Sequence, residues 1–74
     1  MMTLYEMKKI YVVNLLTRVW NEQKREERVC SMALKAFENK EDADYFCDWY
    51  RDVKFTENDI HIWTEPLAFV EHSN

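Results

Sequence analysis

A chain of 74 residues with 47% hydrophobic and 15% aromatic residues is long enough for a single domain, residues 1–74, with one small core. The chain contains no glycine, which excludes phosphate-binding loops, dinucleotide-binding fingerprints and nucleophile elbows. Its net charge of −4 is uneven, because residues 1–40 carry +3 and residues 41–74 carry −7. The acidic second part makes nucleic acid an unlikely partner and suits a basic protein surface.

Two cysteines are too few for a secreted disulfide scaffold. No signal-like N-terminus and no apolar run near the ~20 residues of a membrane span is present. We therefore expect a cytoplasmic protein, inside the host cell, that does not interact with membranes.

Met1–Met7 has no strong pattern. The first predicted element is therefore the β-branched and aromatic strand that starts at Ile10 and continues to Trp20. Both of its faces are apolar, with Val13 and Leu15 on one and Val12 and Leu16 on the other. A strand that is apolar on both faces is typical of burial on both faces. With one helix for one face, a second copy is the simplest cover for the other, and we expect a homodimer.

The polar stretch Asn21–Glu27 predicts a hairpin connection longer than two residues. Val29–Phe37 is the second predicted strand. The segment 28–38 also stays open to a helix, because its Met, Ala and Leu residues favour helix, and an all-helical first forty residues is the alternative. Without glycine, left-handed turn positions are expected at the residues that best tolerate them, which are Asn14, Asn21, Asn39, Asn58 and Asp59.

The next element is a helix from an Asn39 N-cap to about Lys54, with Glu41 and Asp42 in its first turn. Its apolar positions share one face and are Ala43, Phe46, Cys47, Tyr50 and Val53. The alternating segment Asp59–Glu65 predicts a strand that ends at Pro66, followed by a short strand or a tail from Leu67. The fold class is therefore α+β, an antiparallel sheet of three to four strands with one amphipathic helix on one face, in β-β-α-β order.

The opposite face of the predicted helix carries the most specific signal in the chain. At about 100° per residue, four carboxylates form one stripe edged by two aromatics, and the candidate protein-binding residues are Glu41, Asp44, Tyr45, Asp48, Trp49 and Asp52. Carboxylates at i, i+4 lie about 6 Å apart along the axis, which is close to the phosphate spacing of a nucleic-acid strand. The stripe can thus act as a nucleic-acid mimic, or it can be a plain solvated face.

Catalysis and metal binding have little support in the sequence. Cys30 and Cys47 lack the close spacing of structural zinc ligands, and His61 and His72 have no helical i, i+4 partner. Nothing in the spacing joins a cysteine to a histidine for nucleophilic chemistry. We expect no enzyme, no cofactor and no metal.

Two short segments resemble small accessory proteins of tailed phages and their bacterial hosts. They are Ala36–Ala43, which leads from strand to helix, and Ile60–Leu67 near the end of the chain. The resemblance implies the β-β-α-β order and an accessory role in a phage setting, and it supplies no catalytic motif.

The leading hypothesis is a non-enzymatic protein that binds and inhibits or modulates a host protein, such as a nucleic-acid-processing or defence enzyme, through the acidic helix. One alternative is a nucleic-acid-binding module that uses the 21–28 hairpin together with Trp20 and Trp63. Another is a homo-oligomeric structural protein without a separate target.

Overall fold

Three strands and one helix follow each other in the predicted order. The computed structural model describes the backbone of residues 5–72 and the side chains of residues 9–68. The elements are β1 (Tyr5–Asn21), β2 (Glu26–Phe37), α1 (Lys40–Val53) and β3 (Asp59–His72). The predicted α+β class and β-β-α-β order are confirmed, with three strands in the sheet.

The long first strand is the centre of the sheet, whose strand order is β2-β1-β3 with antiparallel pairing throughout. A bulge in β2 leaves Leu34 without a partner opposite β1, and a bulge in β3 does the same at Ile60. Both bulges lie on the outer strands, so β1 keeps its alternation and presents odd-numbered residues to one face and even-numbered residues to the other.

The segment that the sequence left open, residues 28–38, is strand up to Phe37. It pairs with β1 from Tyr11↔Phe37 to Asn21↔Glu26. The all-helical alternative for the first forty residues is therefore wrong. Pairing with a neighbouring strand outweighs the weak helix propensity of Met, Ala and Leu.

Two predicted strand boundaries are wrong. β1 begins at Tyr5 instead of Ile10, and β3 continues through Pro66 to His72. The two extensions pair with each other, as Tyr5↔His72 shows. Pro66 has no backbone N–H to donate, but because β3 is an edge strand, this position can face away from the neighbouring strand, where no donor is needed. Of the segment Met1–Met7, residues 1–4 lie outside the described residues, as do residues 73–74.

The hairpin between β1 and β2 turns differently from the sequence expectation. Within the described backbone, the non-glycine residue with positive φ is Arg25, at 53°, and none of the five Asn and Asp positions is left-handed. Asn21 acts through its side chain, since Oδ1 accepts hydrogen bonds from the N–H groups of Gln23 at 3.0 Å and Lys24 at 3.1 Å. That Asx-type capping forms the turn, and Arg25 then closes it.

Helix α1 lies on one face of the sheet and forms the core with it. The buried apolar residues of the described chain are Val13, Leu15, Ala43, Cys47 and Ile62. A helix of 14 residues is about 21 Å long, whereas the molecule is 59 Å in its longest dimension. The helix therefore covers only the middle of one face. Within the described residues, no helix has the length and apolar character needed to cross a membrane.

Candidate protein-binding surface

The helix that carries the candidate site starts and ends where the sequence predicts. Asn39 is the N-cap, with extended backbone angles of −106° and 133°, and its carbonyl accepts the Ala43 N–H at 3.2 Å. The Asn39 side chain makes no cap to the backbone and instead donates to the Asp42 carboxylate at 3.4 Å. At the other end, Tyr50 O accepts the N–H groups of Lys54 and Phe55. These contacts define the two ends of α1.

The inner side of α1 is held by a small core and an aromatic cluster. Ala43 and Cys47 are buried against the sheet. The Phe46 ring packs against Phe37 on β2, with centroids 5.5 Å apart, and against Trp49 at 5.7 Å. Trp49 is therefore anchored along one edge by Phe46, which orients its ring in advance of any binding event.

The predicted acidic stripe is present, but two of its four carboxylates are paired within the helix. Glu41, Asp48 and Asp52 are exposed and Asp44 is half-buried. Lys40 Nζ lies 2.7 Å from Asp44 Oδ2, and Arg51 donates to Asp48 Oδ1 at 2.9 Å. The i, i+4 and i, i+3 spacings of these pairs are visible in the sequence and could have been predicted. The free negative charge of the stripe thus concentrates at its two ends, Glu41 and Asp52.

The Lys40–Asp44 pair also affects the ionisation of both groups. The hydrogen bond from the Lys40 ammonium holds the pKa of Asp44 below its ordinary value, against a smaller opposing effect of desolvation. The same hydrogen bond to Asp44 raises the pKa of Lys40. Both groups are therefore charged at neutral pH and form an ion pair, and each pKa is shifted away from neutrality.

An exposed apolar ridge, which consists of Tyr45, Trp49 and Val53, runs beside the acidic stripe at i, i+4 and i+8. Their exposed fractions are 76%, 40% and 61%. The sequence places Val53 with the apolar side of α1, but the structure exposes it in line with Tyr45 and Trp49. The predicted exposure of Tyr45 and Trp49 at the edge of the stripe is what the structure has, and Val53 is the residue that sequence reasoning missed.

Two shallow hollows flank the apolar ridge. One has a volume of about 220 Å³ and is lined by Phe37, Asp42, Tyr45, Phe46 and Trp49. The other has a volume of about 320 Å³ and is lined by Tyr45, Asp48, Trp49, Asp52 and Val53. Each is lined mainly by apolar or aromatic side chains, with one carboxylate in the first and two in the second. This arrangement can accept apolar side chains from a partner whose surrounding surface is basic.

A third groove, of about 470 Å³, lies between α1 and β3. It contains the Lys40–Asp44 and Asp48–Arg51 pairs, so its charges compensate each other. Arg51 also reaches the Cys47 sulfur and the Ile62 carbonyl, both at 3.5 Å. Among the described side chains, no three His, Cys, Asp or Glu residues come together to hold a metal ion.

The hairpin that would serve a nucleic-acid-binding module carries mixed charge. Arg28 pairs with Glu26 at 3.3 Å and Arg18 lies 4.0 Å from Glu27. Trp20 and Trp63 occupy the sheet face opposite α1, where the Trp63 ring stacks on His61 with centroids 5.5 Å apart. Two of the basic side chains at this end of the sheet, Arg18 and Arg28, thus lie beside carboxylates.

No protein family model, curated protein or solved structure matches this chain.

Proposed function

We propose that this chain is a non-enzymatic accessory protein that binds another protein through the outward side of α1 and so inhibits or modulates it. The observation that carries the proposal is the apolar ridge, exposed in the described structure and bordered by carboxylates. Following the resemblance to phage accessory proteins, the target would be a host protein, and a nucleic-acid-processing or defence enzyme has the basic surface that this side of α1 fits.

The spacing of the apolar ridge supports a complex in which α1 occupies a groove on its partner. Side chains at i, i+4 and i+8 project from one side of α1, which is the pattern by which amphipathic helices occupy apolar grooves. Tyr and Trp are the residues most often found as energetic anchors of interfaces. Because Trp49 is already packed against Phe46, little conformational freedom remains to be lost when it binds.

The charge of α1 supports a basic partner. None of the basic side chains that the structure describes lies within ion-pair distance of Glu41 or Asp52. These two carboxylates stand at opposite ends of the stripe, with the Asp44 and Asp48 pairs between them. Long-range attraction to a basic surface would raise the association rate, while the apolar ridge would set the lifetime of the complex. If the carboxylates of the stripe mimic a row of phosphates, that mimicry would contribute in the same way, by raising the association rate with a basic partner.

Affinity capture from host lysate, followed by titration of the purified target, tests the proposal. Tyr45→Ala/Trp49→Ala should lower the affinity more than about tenfold, as expected for anchor residues. Val53→Lys should weaken binding, whereas Val19→Lys, at an exposed valine of β1 away from the ridge, is the matched control and should not.

Charge reversal should be placed at Glu41 and Asp52. Reversal at Asp44 or Asp48 would set like charges beside Lys40 and Arg51 and so disturb the helix itself. Glu41→Lys/Asp52→Lys should slow association and reduce its dependence on salt, with Glu57→Lys, an exposed carboxylate outside α1, as the control. A target that binds all of these variants as tightly as it binds the wild type would contradict the proposal.

A further inference from the structure

The sheet has a second face, opposite α1, that is apolar and uncovered. Since Val13 and Leu15 of β1 are buried under the helix, their even-numbered neighbours lie on the other side. The register adds residues of β2 and β3 to that side. We call this surface the open face; its apolar members are Ile10, Val12, Leu16, Trp20, Val29, Ala33, Ala36, Trp63 and Leu67.

Among the described side chains, residues 9–68, few on the open face are charged. Arg18 and Glu27 lie on it and pair with each other at 4.0 Å. His61 and Glu65 follow along β3, with the His61 ring stacked on Trp63. The centre of the face therefore contains Val12, Leu16 and Trp63 around one polar residue, Asn14, and within the described chain no element packs over it.

The single chain exposes more surface than a compact protein of its size. Its accessible surface is 6158 Å², whereas a folded monomer of 9.1 kDa is expected to expose about 4,900 Å². Its radius of gyration is 16.7 Å, whereas about 11 Å is expected for a compact domain of this length. The excess of more than about 1,000 Å² is spread over the whole chain, and it is larger than the roughly 800 Å² per partner that a stable protein–protein interface buries.

We propose that a second copy of this chain covers the open face, so that two sheets pack back to back with the helices outside. Such sheets lie about 10 Å apart with their inner side chains interdigitated. A second copy fits better than another occupant for two reasons. First, the face carries little net charge, so a partner of opposite charge is not required. Second, in a dimer with a two-fold axis the same apolar patch of each copy forms both sides of the interface.

The dimer adds a consequence that rests on the proposed function. With both sheets turned inward, the two α1 helices lie on opposite outer surfaces of an α-β-β-α assembly. Each helix then presents its own apolar ridge, and one dimer binds two target molecules at separate sites. The dimer itself does not depend on this step, because it follows from the open face alone.

Light scattering of the purified full chain, from low micromolar to near-millimolar concentration, tests the proposal. The wild type should have twice the monomer mass. Val29→Glu/Leu67→Glu should reduce it to the monomer mass, because both residues lie on the open face and are exposed in the single chain, where a carboxylate costs little. Val53→Glu, on α1, is the matched control and should stay dimeric.

A wild type that is monomeric throughout this range would overturn the proposal. So would a Val29→Glu/Leu67→Glu variant that folds, by circular dichroism, and keeps the dimer mass, because the copies would then join through strand edges. If this variant does not fold, the mass of the wild type and of Trp20→Glu decides in the same way. Loss of target binding in Val53→Glu with the dimer intact would separate the two proposals.

Discussion

The two faces of the sheet contain similar residues but have different surroundings. On the covered face, Val13, Leu15 and Ile62 are buried under α1. On the open face, Val12 and Leu16 come from the same strand, one position away, and remain only half-buried. The sequence of β1 makes both faces suitable for a core, but a core forms only where a second layer lies on it. In the described chain, a second layer therefore covers only one of the two faces of the central strand that are suited to burial.

Truncating a side chain on the face that α1 covers should lower the stability of the protein far more than truncating an exposed side chain nearby. Ile62 is 2% exposed, whereas Ile60, two residues earlier in β3, is 38% exposed. Ile62→Ala should cost about 2–5 kcal/mol of unfolding free energy, since it leaves a cavity under α1. Ile60→Ala removes the same atoms and should cost less than half as much. Urea denaturation of both variants measures the difference, and equal costs would contradict the assigned core.

The hydrogen bond between Thr17 and Asp59, at the edge of the covered face, should make a pH-dependent contribution to protein stability. Thr17 is buried and its hydroxyl donates to Asp59 Oδ1 at 2.7 Å, across the β1–β3 pairing. Thr17→Val keeps the shape of the side chain and removes this bond, so it should cost about 1 kcal/mol at neutral pH.

The sign of the pH dependence follows from the ionisation of Asp59. The hydrogen bond from Thr17, with a second from the Thr56 N–H, holds the pKa of Asp59 below its ordinary value. A depressed pKa contributes stability that is complete above the unfolded-state pKa of about 4 and is lost as the pH falls through the folded-state value. The gap between wild type and Thr17→Val should therefore narrow below about pH 4 in urea titrations. A gap that stays constant down to pH 2 would exclude this role of Asp59.

The hairpin, which lies beyond the reach of α1, should gain stability from a single backbone change. Arg25 has a φ of 53°, a conformation that costs an L-residue about 1 kcal/mol and costs glycine nothing. Arg25→Gly should raise the unfolding free energy by a few tenths up to about 1 kcal/mol, because the greater freedom of glycine in the unfolded chain offsets part of the gain. Glu22→Gly, in the same connection, serves as the control and should not stabilise the protein.

The sequence predicted those features that depend on local pattern. A strand over Asp59–Glu65 and the Asn39 N-cap of the amphipathic helix are in the structure as expected, although the bulge at Ile60 interrupts the alternation of that strand. The extension of β3 through Pro66 was not predicted, because it depends on β3 being an edge strand and on the Tyr5 end of β1 as its partner. Those facts concern the assembled sheet, and no window of the sequence contains them.

The candidate surface was predicted in part for the same reason. The helical period places Tyr45 and Trp49 at the edge of the acidic stripe, and both are exposed. The same period puts Val53 on the apolar side of α1, but a helical period does not show how far the sheet extends under the helix, and Val53 is exposed. The pairing of Asp44 and Asp48 with basic side chains of α1 follows from spacing alone and was open to prediction.

The accessibility of Trp63 tests most directly whether the open face is covered in the assembled protein. Trp63 pairs with Asn14 in the middle of β1, so any back-to-back packing of two sheets covers it. In a Trp20→Phe/Trp49→Phe background it is the sole tryptophan, and acrylamide quenching of its fluorescence reports its exposure. We expect weak quenching in this background and a clear rise when Val29→Glu/Leu67→Glu is added. Equal quenching in both backgrounds would mean that the open face is not an interface between two copies.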